Sequence, residues 1–320
     1  MLDVKKSLSY HKVIFAVDPT TPELRPTQGA IHWLKRLALE LHLTFEGIFV
    51  WFNQPGAKDV TYARLKEYFS SLNLASNSAT TLLYDSTESK HSAAIAMLRH
   101  AYDQDADLVV VSSRGRSGPG RLLLGSFAEN LLTVSKIPIL FLPEDGEEEP
   151  GKTSKILFPT DFSKSSLIAF TLFLNDLKSF QGDLILFHAE LSADTLSESA
   201  GIGFATLVPE QFWIEQDRLI EEGFNQLMHL ADAHGIRTKK ILRQNVHNIP
   251  RAIEWVAEEE RVELIVMASR AKSVGFALLG GIAKEIFRMK RWPVWVYGPE
   301  AIRSAAISAT PRLECLNVSP

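Results

Sequence analysis

Val13-Ile-Phe-Ala-Val17-Asp18 and Ile156-Leu-Phe-Pro-Thr160-Asp161 are two short apolar runs that each end in an aspartate, and Asp161 follows Asp18 by 143 residues. Such a run, without polar alternation, reads as a strand covered on both faces. What comes after each run is shared as well. A helical period follows, with apolar steps of three, four and three at Ile31, Leu34, Ala38 and Leu41, and again at Leu167, Phe170, Leu174 and Leu177. Second strands are expected near 44–51 and 183–189, and third strands near 79–84 and 237–242. Leu108-Val-Val-Val111 and Leu264-Ile-Val-Met267 supply the fourth strands, and Ile137-Pro-Ile-Leu-Phe-Leu142 and Trp292-Pro-Val-Trp-Val-Tyr297 the fifth. Helices are expected between them, near 59–72, 89–103 and 119–135 in the first copy and near 209–234, 248–260 and 276–291 in the second. Strand alternating with helix implies parallel sheets flanked by helices and joined by right-handed crossovers. The chain is expected to be an α/β tandem duplication.

The spacing between copies shows where they differ. Leu264 follows Leu108 by 156 residues, and Pro293 follows Pro138 by 155. The second copy therefore gains residues before its fourth strand, with the Ser/Ala/Gly-rich stretch 191–208 the expected place, and loses one just after that strand. Between the copies, Pro143-Glu-Asp-Gly-Glu-Glu-Glu-Pro150-Gly151 combines like charges with turn residues and reads as a linker. The expected division is a first domain over 1–143, a linker over 144–152, a second domain over 153–299 and a C-terminal tail over 300–320.

A length of 320 residues suits two domains of roughly 150 residues each. With 46% hydrophobic and 22% charged residues, the composition is that of a globular chain. A net charge of -4 supplies no general field for nucleic acid or anionic lipid, so neither is expected as a partner. Cys315 is the single cysteine, which excludes an internal disulfide framework and suits a reducing compartment. No apolar stretch approaches the roughly 20 residues of a membrane helix, and the N-terminus lacks an apolar signal core. A cytoplasmic location is the expectation.

The chemistry is expected where the deletion falls. After the fourth strand, the first copy reads Ser112-Ser-Arg114-Gly115-Arg116-Ser-Gly-Pro-Gly-Arg121-Leu-Leu-Leu-Gly125-Ser126 and then a helix. Strand, glycine-rich loop and helix is an arrangement that binds phosphate, through free backbone N–H groups and the positive helix start. Three arginines add positive charge. The alternative is that glycine and proline only turn the chain.

The segment resembles the universal stress protein family, whose nucleotide-binding members carry Gly, two residues, Gly, nine residues, Gly, then Ser or Thr. Gly115, nine residues, Gly125 and Ser126 match, whereas Ser112 stands at the first glycine position. Arg121 to Ser126, the Ile137-Pro138-Ile139 opening of the fifth strand and Pro159-Thr160-Asp161-Phe162-Ser163 look like the family too. The resemblance covers about 10–143 and 153–298. It implies two five-stranded parallel sheets in the order 3-2-1-4-5, helices on both faces, and fifth strands that pair two domains, here within one chain. In that order the crevice opens between the carboxyl ends of the first and fourth strands. By resemblance, Asp18 would accept bonds from a ribose and Val50 would meet adenine through its backbone. Val111 and Ser112 would line base and sugar, and Gly115, Gly125 and Ser126 would hold phosphates. The implied ligand is ATP, or AMP or ADP, with Mg2+ bridging phosphate oxygens, in the first domain only.

The second copy reads Met267-Ala268-Ser-Arg-Ala271-Lys272-Ser-Val-Gly275-Phe-Ala-Leu-Leu-Gly280-Gly281. Ala268 and Ala271 replace two glycines, the spacing is one residue short, and Gly281 replaces the hydroxyl residue. This copy is expected to be a structural partner, with Asp161 in a strand-end or capping role, or to bind another ligand near 191–208.

Other motifs carry less. Gly146-Glu-Glu-Glu-Pro-Gly151-Lys152-Thr153 matches the P-loop pattern, but its glutamates repel phosphate and a strand follows it. Gly201-Ile-Gly203 lacks a third glycine. His229 and His234 read as surface groups, and no side-chain metal site is expected. Trp33, Trp255, Trp292 and Trp295 are read as packing cores or the fifth-strand interface. No general base or catalytic triad stands out, so no catalytic residue is named and any ATP hydrolysis is expected to be slow. The leading expectation is a stress-response module that binds an adenine nucleotide. The alternative is a nucleotide-independent scaffold for a protein or apolar ligand, and a homodimer is a further expectation.

Overall fold

The computed structural model describes residues 11–19, 26, 28–40, 42–52, 58–74, 79–85, 89–112, 126–143, 155–177, 182–192, 195, 210–269, 281–289 and 291–313. The linker at 144–152, the 113–125 loop, the P-loop match and most of 191–208 lie outside them. The first half runs β1 (His11–Ala16), α1 (Gln28–Glu40), β2 (Leu43–Phe52), α2 (Lys58–Leu72), β3 (Ala79–Asp85), α3 (Lys90–Asp103), β4 (Leu108–Ser112), α4 (Ser126–Val134) and β5 (Ile139–Leu142). The second runs β6 (Lys155–Pro159), α5 (Lys164–Asp176), β7 (Asp183–Leu191), α6 (Glu210–Ala233), β8 (Arg237–Val246), α7 (Ile249–Glu259), β9 (Leu264–Ala268), α8 (Gly281–Met289) and β10 (Val294–Tyr297). A last helix, α9 (Pro299–Leu313), follows.

All ten strands form one sheet in the order β3-β2-β1-β4-β5-β10-β9-β6-β7-β8. Within each half the strands are parallel; β5 and β10 meet antiparallel at its centre, with Leu140 opposite Trp295. The pairing implied for the fifth strands is thus made inside one chain. Both fifth strands start at the residue directly after a proline, later than the sequence runs suggest. Pro138 and Pro293 have no N–H to donate, but their carbonyls accept from Val109 (3.1 Å) and Ile265 (3.1 Å).

Alternate strand residues face opposite layers. Val13 and Phe15 join one core with Phe158, Phe170 and Trp295, while Ile14 joins the other with Leu157, Ile265 and Val294. Each core crosses both halves, so helix layers cover the sheet continuously. Helix starts follow the polar residues expected of caps. The side chains of Ser89, Ser163 and Asn248 accept from the N–H groups of Ser92 (3.0 Å), Ser166 (3.3 Å) and Arg251 (3.0 Å).

Beside the seam, within the second half, Tyr297 is fully buried and donates its hydroxyl to Asp176 at 2.6 Å. Burial, with Asp176 beside it, pushes its phenol well above the usual tyrosine range. Arg36 of α1 pairs with Glu263 ahead of β9, tying the first half to the second. The expectation of a tail from residue 300 needs correcting, because α9 packs on both α4 and α5 and buries Ala301 and Ile302. Its approach needs Gly298, where an added Cβ would lie 2.2 Å from the carbonyl oxygen of Leu132.

The tryptophans divide. Trp33 and Trp295 are buried as expected, but Trp255 is 57% exposed on α7, with Arg243 over its face at 4.8 Å. A cation over the indole ring explains how that aromatic face stays at the surface.

Candidate functional site

In the first half, β1 lies between β2 and β4, so its chain leaves toward one side and that of β4 toward the other. A crevice at the carboxyl ends of β1 and β4 follows from this reversal. Ala16 is opposite Ile48 of β2 and Val111 of β4, and the N–H of Val17 still donates to Ile48 at 2.9 Å. Asp18 comes next, half-buried. Val50 and Val111 are buried in the core beneath, and Ser112 closes β4. Ser126 is the first residue of α4. Asp18, Val50, Val111 and Ser112 therefore lie toward one end of the sheet. Gly115 and Gly125 lie outside the described residues, as do the side chains of Ser112 and Ser126.

The second half repeats this geometry with different chemistry. Pro159 is opposite Phe187, and the N–H of Thr160 donates to Phe187 at 2.8 Å. Asp161 then accepts from the N–H of Ser163 at 3.0 Å and so supports the start of α5. Thr160 is buried; its hydroxyl contacts that of Ser166 at 3.0 Å and accepts from the N–H of Phe162 at 3.0 Å. His188 contacts the carbonyl of Thr160 through Nδ1 at 2.7 Å. A carbonyl can only accept, so Nδ1 carries the proton and the tautomer is fixed.

Phe162 holds a left-handed backbone, φ 56°, uncommon for a bulky residue. Its ring packs on Phe224 at 5.0 Å and His188 at 4.7 Å. That placement explains a glycine inside a long helix. A Cβ at Gly223 of α6 would lie 2.5 Å from the Phe162 ring.

A cavity of about 200 Å3 opens at this second crevice, a feature the sequence reading had not located there. Phe187, Ile249, Ile253, Met267 and Ile282 form apolar walls, while Thr160, Asp161, Ser163 and Ser166 line a polar end. Met267 and Ala268 occupy the places that Val111 and Ser112 take in the first half. Its apolar walls come from β7, α7, β9 and α8, and they became interpretable only once those elements were placed together.

The first half also holds a buried polar cluster. Glu46 of β2 accepts from Thr81 at 2.5 Å and contacts His100 at 2.9 Å and Lys12 at 3.1 Å. Burial raises its carboxyl, but the bonds from Thr81, Lys12 and His100 outweigh that and hold it below the usual carboxylate range. Among the described residues no group of three metal-ligating side chains occurs, and His229 and His234 are exposed. No described helix is long and apolar enough to cross a membrane.

The fold and the paired strand-end crevices define a doubly wound α/β protein with two pseudo-equivalent domains. The universal stress protein family matches residues 9–143 and 152–298, and the chain belongs to that family, with two copies of its domain. It is 31% identical over 157 residues to universal stress protein MJ0577 of Methanocaldococcus jannaschii, covering 44% of this chain and 93% of that one. It is 27% identical over 199 residues to universal stress protein Rv2623 of Mycobacterium tuberculosis, covering 60% of this chain and 62% of that protein. A solved universal stress protein from Archaeoglobus fulgidus superposes with a TM-score of 0.54 at 16% identity, over 90% of this chain and 98% of its own. A functionally unknown protein from Pseudomonas aeruginosa PAO1 gives 0.58 at 12% identity, over 95% and 98%. At those identities the likeness concerns the fold.

Proposed function

We propose that the chain is a stress-response protein that holds an adenine nucleotide, ATP or AMP or ADP, in its first half. The observation that carries this reading is the position of Asp18, Val50, Val111 and Ser112 toward the sheet end that holds the β1/β4 switch point, with α4 starting at Ser126. The group fits what is present. A half-buried carboxylate can accept from ribose hydroxyls, and the backbone at Val50 can meet the adenine edge above an apolar floor. Val111 and Ser112 would line base and sugar. Gly115, Gly125 and Ser126 would hold phosphates through N–H groups and the Ser126 hydroxyl, favoured by the positive helix start. Mg2+, when bound, would neutralise phosphate charge.

Calorimetry with ATP and Mg2+ tests this, alongside mass spectrometry of the purified protein for retained nucleotide. Saturable uptake that weakens in Ser126→Ala and disappears in Gly115→Val is expected. No heat at millimolar ATP together with no retained nucleotide refutes it. The sequence offers no committed general base, so turnover should stay well below about 1 per second.

A further inference from the structure

We infer that the second half has its own ligand site, and that it takes a compact uncharged ring compound without a phosphate. The cavity between the ends of β6 and β9 measures about 200 Å3. A dry apolar cavity of roughly 150 Å3 already accepts benzene, whereas drug-sized ligands fill about 300 Å3 or more. One or two fused rings are the size that fits. Phe187, Ile253 and Met267 are buried side chains that make its walls apolar. Such walls favour a ring face and leave bulk water little to bind.

The polar end sets the bonding. Thr160, Ser163 and Ser166 bring hydroxyls, His188 an imidazole, and Asp161 a carboxylate that also accepts from the N–H of Ser163. A neutral ring with an N–H or O–H donor suits that end. The sequence independently removes phosphate-holding features from this half: Ala268 and Ala271 replace glycines, and Gly281 replaces a hydroxyl residue. The inference does not rest on nucleotide binding in the first half.

Indole is the probe, a neutral bicycle of about nine non-hydrogen atoms with one N–H donor, for which a dissociation constant on the order of 1 mM is reasonable. Isoleucine and methionine methyls of the full chain are labelled with carbon-13, and indole is titrated in. The methyl signals of Ile253 and Met267 should shift saturably, while that of Met97, in the corresponding α3 position of the first half, shifts less. Ala268→Leu, which fills the cavity, should weaken the response at least tenfold; Ala283→Leu is the second filling variant should the first unfold. ATP without indole should leave Ile253 and Met267 unmoved. The inference fails if wild-type shifts do not saturate by about ten times the expected constant. It fails equally if a folded filling variant responds like wild type, or if ATP moves Ile253 and Met267 more tightly than indole does. ATP calorimetry reports on the first half separately, so either reading can fail while the other stands.

Discussion

Ala16, Val17 and Asp18 leave β1 along the same path that Pro159, Thr160 and Asp161 take from β6. The N–H of Val17 donates to Ile48 at 2.9 Å and that of Thr160 to Phe187 at 2.8 Å, so the backbone of the two crevices is one design. The side chains around it have parted. The first half carries glycines and a serine after β4, and the second carries alanines, a shorter loop and apolar cavity walls from α7 and α8. Below the crevices the difference runs the other way. Glu46 brings a charged cluster to β2, where the matching register position of β7 is Ile185. Strand pairing preserves a backbone path while leaving the chemistry along it free to change.

The largest effect should come from the seam on which both halves depend. Gly298→Val places a side chain against the backbone of α4, and neither main chain can yield cheaply. It should destabilise by about 3 kcal/mol or more, read as a lower denaturant midpoint. A stability near wild type would show that α9 does not bind the halves as described.

Glu46→Gln should cost about 2 kcal/mol, because burial remains while charge-assisted bonds are lost. The sign against pH follows from the lowered carboxyl. Its folded value lies below its unfolded one, so its stabilisation is present above the unfolded value of about 4.5 and fades as pH falls through the folded one. The gap between wild type and variant should narrow below that pH. A constant gap in denaturant melts from pH 3 to 7 would assign the loss to packing instead. Ile185, fully apolar in the other half, should show no such pH dependence when replaced by Val.

The crevices can be compared by one substitution made in each. Asp18→Asn should weaken ATP about tenfold, roughly 1.4 kcal/mol, while Asp161→Asn leaves ATP affinity unchanged. Calorimetry giving equal losses would contradict the division of labour. The smallest effect belongs to Tyr297→Phe, about 1 kcal/mol for the bond to Asp176, visible as a modest drop in melting temperature.

The fold was legible in the sequence wherever burial was two-sided. Leu108 to Val111 and Leu264 to Met267 are covered on both faces, and no other element explains such runs. Ser89 and Asn248 marked helix starts because their side chains satisfy N–H groups that the helix leaves open. α9 was missed because its Ala- and Ser-rich sequence shows little apolar contrast, although Pro299 followed by Glu300 is a proper helix opening. At the site, Asp18, Val50 and Val111 could be placed because strand ends are determined by register. The second cavity could not, since its walls come from Phe187, Ile253 and Ile282, which lie far apart in sequence and look like ordinary core.

The antiparallel meeting of β5 and β10 has a consequence for inheritance. In a dimer of identical subunits every substitution appears on both sides of the axis, so a change that suits one crevice is imposed on the other. Here the partner strand is carried on the same polypeptide, and the pairing survives any dilution of the protein. Each position can then mutate once rather than twice, which is the condition under which two equivalent pockets can acquire separate occupations.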